Sequence, residues 1–287
     1  MKQTNDSWLF EISPKRNLFD LNFKEIWQYR DLLLLFVKRD IVTVYKQTIL
    51  GPLWYLIQPL LTSVIFTLIF NSIAGIDTGK TPPFLFNLTG ITAWNYFKDC
   101  LVNTSDTFKK NESIFSKVYF PRVIIPLSVT ISNLLKFGIQ LSILAGFYMY
   151  FVFFAAYELQ PGSSLLFFPL LILIMALLGL GLGMIISSMT TKYRDLSFLI
   201  TFGVQLLMYL SAVAFPLEEA KQKAAEYAWI VEYNPMTTVI ESFRFMMLGE
   251  GVFSITGIII TFCISIFIFL TGLMIFNKTE KSFIDTI

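Results

Sequence analysis

Long apolar runs alternate with short polar stretches along most of this chain. The runs cover residues 53–74, 84–102, 123–150, 165–189, 196–216 and 255–276. Each is close to the roughly 20 residues that a helix needs to cross a bilayer. The first, fourth and sixth carry no charged residue. Asn87, Thr89, Thr92 and Asn95 interrupt the second, so it is expected to face other helices or water. The third holds one cation, Lys136, near its middle. The pattern predicts an all-α integral membrane protein with six transmembrane helices.

The polar stretches carry patterns of their own. In 23–47, Lys24, Gln28, Asp31, Lys38 and Lys46 recur on one side. Phe23, Ile26, Trp27, Leu34, Val37, Ile41 and Val44 recur on the other, which predicts an amphipathic helix in the membrane interface. A helix packed on a soluble partner would read the same way. Residues 105–117 predict about three helical turns, with Ser105 and Asp106 as N-cap types and Pro121 beyond them. In 217–254, Asn234-Pro235 is a helix start and Gly249 a stop. Met236, Val239, Ile240, Phe243, Met246 and Met247 form its apolar face, and Glu241 and Arg244 are spaced to pair. This stretch is expected to form short re-entrant helices between spans five and six.

Composition agrees with the pattern and charge adds orientation. Only 15% of residues are charged, against about 25% in soluble domains, so a soluble enzyme is excluded. With the N-terminus inside, the cytoplasmic segments hold 17 Lys and Arg and the external ones 4. Both termini are therefore expected in the cytoplasm, with an even number of spans. The polar first 50 residues show no cleavable leader. Cys100 and Cys263 are too far apart for a zinc pattern or a disulfide framework, and both are expected to be buried and inert. No histidine is present, and Asp40, Asp99, Asp106, Glu112 and Asp195 are too scattered for a transferase site. No catalytic residue, metal ligand or nucleic-acid partner is expected.

Residues 74–81, Ala-Gly-Ile-Asp-Thr-Gly-Lys-Thr, imitate a phosphate-binding loop. That loop needs a strand before it and a helix opening on the phosphate, whereas an apolar run precedes this one and Pro82-Pro83 follows. Nucleotide binding is therefore not expected here, and any ATP must be bound by another subunit. Gly179 and Gly183 are spaced for close helix packing. Lys136 in mid-membrane costs about 2.5 kcal/mol or more and should meet water, an anion or a partner. Trp54, Tyr55, Trp94 and Phe97 lie near the ends of the first two spans, where aromatic faces could stack on sugar rings.

Residues 45–54, Tyr-Lys-Gln-Thr-Ile-Leu-Gly-Pro-Leu-Trp, followed by Gln58-Pro59-Leu60, resemble the first-span start of type-2 ABC exporter permeases for polysaccharides. Lys117 to Arg122, Tyr193-Arg194-Asp195, Asn234-Pro235 and Glu241 to Gly249 match further motifs in the family's order. Two departures are Val44, where many relatives have Arg, and Ser211 to Pro216, which lacks a proline found in that pattern.

The resemblance implies an N-terminal region at 1–50, a transmembrane domain at 51–279 and a tail at 280–287. It implies two copies of the chain and two separate nucleotide-binding ATPase subunits carrying ATP and magnesium, with no cofactor on this chain. The cargo would be an undecaprenyl-diphosphate-linked glycan of O-antigen, capsule or teichoic-acid type, moved out across the inner membrane. Asp106, Lys109, Lys110, Asn111, Glu112, Phe115 and Lys117 would couple to the ATPase. Trp54, Tyr55, Trp94, Phe97 and Lys136 would line the substrate path, and Asn234, Pro235, Glu241 and Arg244 the external gate. Alternatives are the same architecture exporting a drug or simple lipid, and a membrane-embedded glycosyl or phosphosugar transferase.

Overall fold

The computed structural model describes residues 23–47, 51–115, 117–118, 120–154, 163–193 and 195–284. Residues 1–22 and 48–50, Tyr119 and Arg194, and the end of the tail lie outside the described residues, with the expectations placed on them. So do the side chains of Phe23, Lys24 and Val44.

Every described element is helical. Helices α1 (Phe23–Gln28) and α2 (Arg30–Gln47) replace the single predicted N-terminal helix, with a break at Tyr29. Next comes α3 (Trp54–Phe66), whose final turns continue in π geometry over Thr67–Ile73. After α4 (Pro83–Ser105) come two single-turn helices, α5 (Thr107–Lys110) and α6 (Glu112–Phe115). The long α7 (Ile124–Phe154) and α8 (Phe168–Thr190) follow, then α9 (Leu196–Tyr209). Three short helices, α10 (Leu217–Lys223), α11 (Ala228–Glu232) and α12 (Pro235–Leu248), precede α13 (Ile255–Ile284).

Among the described residues, four helices are long and apolar enough to cross a membrane: Trp54–Ile73, Ile124–Phe154, Ser164–Thr190 and Ile255–Glu280. The protein is a multi-pass membrane protein by this measure. The second apolar run forms α4, which is too polar to join those four and is the axis of the bundle. Its residues Leu85 to Phe97 are all buried. Thr89 and Thr92 donate to the carbonyls of Leu85 and Leu88 at 2.8 and 2.7 Å. Asn87 donates to Thr67 at 3.1 Å and to Asn71 at 2.8 Å, on the π-helical stretch of α3. These bonds satisfy the donor groups of the three side chains inside the bundle.

The other axis is α8, which packs most extensively on α13 and α4. Its glycines make this possible. A Cβ at Gly179 would stand 2.7 Å from Cys100 Cβ, and one at Gly183 2.5 Å from Thr104 Cβ. A Cβ at Gly181 would meet the α13 backbone at Phe269. The three glycines thus bring α8 against two helices at once, as small residues do at membrane helix contacts.

Three expectations are corrected. Residues 105–117 do not form one helix, because Asn111 turns inward between α5 and α6 and donates to the Thr107 carbonyl at 2.9 Å. Asp106 makes no cap bond and pairs with Lys110 at 2.9 Å instead. The fifth run does not continue to 216: α9 stops at Tyr209, and Ala212 adopts a left-handed φ of 50° in the turn that follows. The chain therefore bends here without the missing proline. Cys100 is buried, but Cys263 is exposed on the outer side of α13.

Candidate functional site: a polar cavity and a braced cap

Two polar regions lie at opposite ends of α4. One is a cavity of about 610 Å³ between α2, α3, α5 and α7, beside the C-terminal end of α4. From α2 it takes Arg39 and Asp40, and from α3 Tyr55. Asn103, Thr107, Lys110 and Asn111 form one wall, and Ser132, Asn133 and Lys136 of α7 the other. Arg39 donates Nε and Nη2 to Asp40 at 3.0 and 2.9 Å, and its Nη1 reaches Asn111 Oδ1 at 3.5 Å. Asn103 donates to Asn133 at 3.3 Å. The Lys136 ammonium sits 5.1 Å from the centre of the Tyr55 ring and makes no ion pair among the described residues.

The sequence-predicted path residues separate here. Tyr55 and Lys136 meet at this cavity, and Trp54 is half exposed at the start of α3. Trp94 and Phe97 do not join them. Both are at most 2% exposed, and their ring centres lie 5.3 Å apart in the main core. Within the single chain they pack in the main core, since α4 is enclosed by its neighbours.

The short helices behind the cavity divide the coupling candidates in the same manner. Lys109, Lys110, Glu112 and Lys117 are exposed and Asp106 is half-buried. Asn111 and Phe115 are buried. Phe115 packs with Phe108 and Phe120 at 5.9 Å each, and Phe108 stacks on Phe276 of α13 at 4.6 Å. Phe36 of α2 meets Phe120 at 5.8 Å, so the second core cluster ties α2 to the α5–α6 segment. Arg122 closes this cluster. It lies over the Phe115 ring at 4.9 Å and donates to the Glu280 carbonyl at 3.1 Å. Burial lowers its guanidinium below the usual arginine range, and Glu280 opposes the shift. On the outward face of α1 and α2, Trp27, Leu34 and Leu35 stay exposed, while Val37 is buried, contrary to the single apolar face read from sequence.

The second polar region is a cap built on α12. Asn234 starts the helix as the sequence implies: its Oδ1 accepts from Met236 N at 2.9 Å, and Gly249 ends it with φ of 76°. The Asn234 amide also donates to the Leu210 carbonyl at 2.9 Å and to Ser211 Oγ at 3.0 Å, which ties α12 to the turn after α9. Glu241 and Arg244 pair at 3.1 Å, but deep inside, with side chains 3% and 0% exposed. Arg244 donates to the carbonyls of Ala212 at 2.8 Å, Phe215 at 3.5 Å and Val213. Glu241 accepts from Leu217 N at 3.4 Å and Val252 N at 3.1 Å. The Arg244 guanidinium also lies 3.6 Å from the centre of the Phe86 ring on α4. Burial lowers its guanidinium below the usual arginine range, against the pull of Glu241. Glu241 and Arg244, two of the four gate candidates, thus brace the 210–217 turn.

Sequence reasoning missed Gly90, on which the brace depends. A Cβ there would stand 2.5 Å from Arg244 Nη2 and 2.8 Å from the Val213 carbonyl. It also missed what the phosphate-loop imitation holds. Lys80 N and Thr81 N donate to the Glu250 carboxylate at 2.6 and 3.4 Å. Turned backbone N–H groups form a small anion cradle, and this one is filled by a side chain just beyond α12. Among the described residues, no group of three or more His, Cys, Asp and Glu could hold a metal ion.

The sequence has counterparts among known proteins. The family model of ABC-2 type transporters matches residues 31–248. An O-antigen export system permease protein RfbA of Klebsiella pneumoniae is 28% identical over 256 residues, covering 89% of this chain and 94% of that protein. One of the same name from Myxococcus xanthus is 24% identical over 264 residues, covering 92% and 98%. The chain belongs to the ABC-2 type transporter family.

Proposed function

We propose that this chain is the permease subunit of an ATP-driven exporter that moves a lipid-linked polysaccharide outward across the cytoplasmic membrane. The observation that carries this reading is the near full-length similarity to permeases named for O-antigen export. The cargo is a glycan on an undecaprenyl diphosphate carrier, of O-antigen, capsule or teichoic-acid type. ATP and magnesium belong to two copies of a separate ATPase subunit.

In this reading two copies form the path and each crosses the membrane six times. Four spans are the long apolar helices. The fifth and sixth are α4 and α9. The buried bonds of α4 support its place, since a polar span must be enclosed. Helix α9, at 1.5 Å per residue, covers about 21 Å, and the braced turn after it completes the roughly 30 Å crossing. The excess of Lys and Arg supports both termini in the cytoplasm. The exposed Lys109, Lys110, Glu112 and Lys117 dock the ATPase, and α10 to α12 cover the external exit.

The test is complementation. A strain lacking its own exporter receives this chain with its ATPase, and surface glycan is measured. Restored glycan that disappears with a hydrolysis-deficient ATPase is the expected result. Drug resistance without surface glycan would assign the same architecture to another cargo.

A further inference from the structure

We propose that the cavity between α2 and α7 is a binding site for the phosphate headgroup of a membrane lipid, gripped by Arg39, Lys110 and Lys136. Three cations from three different helices line one space, and Asp40 is the single carboxylate among its lining residues. Asp40 is already engaged by two nitrogens of Arg39, which leaves Nη1 only a long contact to Asn111. Lys110 pairs with Asp106, yet 62% of its side chain is exposed. Among the described residues, Lys136 meets the Tyr55 ring and makes no ion pair. An aromatic face holds a cation weakly without neutralising it, so the charge is free to meet phosphate oxygens.

The remaining walls favour a lipid over a soluble phosphate. Ile41, Leu135 and Ile139 line the same cavity, and Leu135 is half exposed. Cations and apolar walls in one space suit a ligand with an anionic head and a hydrocarbon tail. Exposed Leu34 and Leu35 on α2 place the cavity beside the apolar face of the interface helix. A volume of about 610 Å³ admits a diphosphate with part of its first sugar or tail.

One consequence rests on the exporter reading above. Thr107, Lys110 and Asn111 belong to the segment assigned to ATPase docking, so a bound headgroup touches that segment directly.

The test uses the full-length chain assembled with its ATPase in phosphatidylcholine vesicles. Undecaprenyl diphosphate, phosphatidylglycerol and inorganic pyrophosphate are added in separate arms, and retained ligand is measured. Saturable retention of undecaprenyl diphosphate supports the site and assigns it to the carrier. Saturable retention of phosphatidylglycerol supports the site and assigns it to bulk anionic lipid. Lys136→Met and Arg39→Gln should each weaken retention about tenfold, the worth of one charge-assisted hydrogen bond. Lys136→Arg should restore it, which separates charge from folding. Equal retention by all variants, or pyrophosphate binding as tight as lipid binding, overturns the proposal. Glycan export by cells carrying the unaltered chain is scored apart. Charge-dependent retention without export sinks the exporter reading alone, and export with charge-independent retention sinks this site alone.

Discussion

Arg244 in the cap and Lys136 in the cavity are both cations enclosed by this bundle, and their surroundings differ in kind. The Arg244 guanidinium reaches a carboxylate, three carbonyls and a ring face, with no exposed surface. Lys136 has one ring and an open cavity. Gly90, which meets Arg244, and Asn103, which lines the cavity with Lys136, are about 20 Å apart along α4 at 1.5 Å per residue. Arg244 Nη1 and Nη2 are taken up by carbonyls and a carboxylate of the chain itself, while its buried Nε has no partner among the described residues, and a cation held in this way serves architecture. A cation left with free donors beside a cavity is placed for a ligand.

The sharpest way to break this contrast is at the brace. Arg244→Met leaves Glu241 charged and buried without its cation, and frees the carbonyls of 212–215. Removing one partner of a buried pair costs about 3–5 kcal/mol, so the variant should lose most assembled protein in detergent. Gly90→Ala should act in the same direction, because its Cβ meets Arg244 Nη2 at 2.5 Å. Lys136→Met, at the other end, should leave the thermal unfolding temperature nearly unchanged. Equal stability of the Arg244 and Lys136 variants would erase the distinction.

A second contrast lies within the coupling segment. Phe115→Ala empties a buried aromatic site shared with Phe108, Phe120 and Arg122, at a cost of about 3 kcal/mol. It should lower stability whether or not the ATPase is present. Glu112→Ala changes an exposed residue, so it should weaken co-purification of the ATPase and leave stability within about 0.5 kcal/mol. A Glu112 variant that docks and exports normally would remove this segment from the interface.

The cap also makes a topological prediction of smaller energetic effect. Thr237 and Ser242 lie on α12 but are 1% and 0% exposed, whereas Glu226 is exposed between α10 and α11. In a background lacking Cys100 and Cys263, Glu226→Cys should react with an impermeant maleimide added outside intact cells. Thr237→Cys should stay unreactive even after the membrane is opened. Labelling of position 226 only in opened membranes would reverse the proposed orientation.

The sequence was most legible where local chemistry decides the outcome. Asn234, Pro235 and Gly249 bound α12 by cap and turn preferences that act within a few residues. The apolar runs marked the long helices because a helix that crosses lipid must be apolar along its whole length. Long-range placement left no such trace. Trp94 and Phe97 looked like path residues because aromatics serve cores and sugar sites alike. The depth of the Glu241–Arg244 pair was hidden, since its three-residue spacing fits an exposed helix equally well. The polar α4 offered one usable signal. Asn87, Thr89 and Thr92 alternate with apolar residues without forming a polar face, as happens when a helix is enclosed on all sides. The cavity joins residues from 39 to 139, and nothing short of the fold brings them together.

The smallest expected effect concerns the loop that imitates a phosphate site. Glu250 lies two residues beyond α12 and accepts from Lys80 N and Thr81 N, so it links the loop after α3 to the cap. Gly79 permits this approach with φ of 65°, and a Cβ there would stand 2.8 Å from Glu250 Oε2. Glu250→Gln keeps the shape and removes the charge. The bonds are partly exposed, so the loss should be about 1 kcal/mol or less. Its signature is local: amide exchange at 78–81 should quicken several-fold while exchange within α12 stays unchanged, because Asn234 and Arg244 still hold that helix. Faster exchange throughout α12 would mean that the cap depends on this loop, and that its stability does not reside in the buried brace.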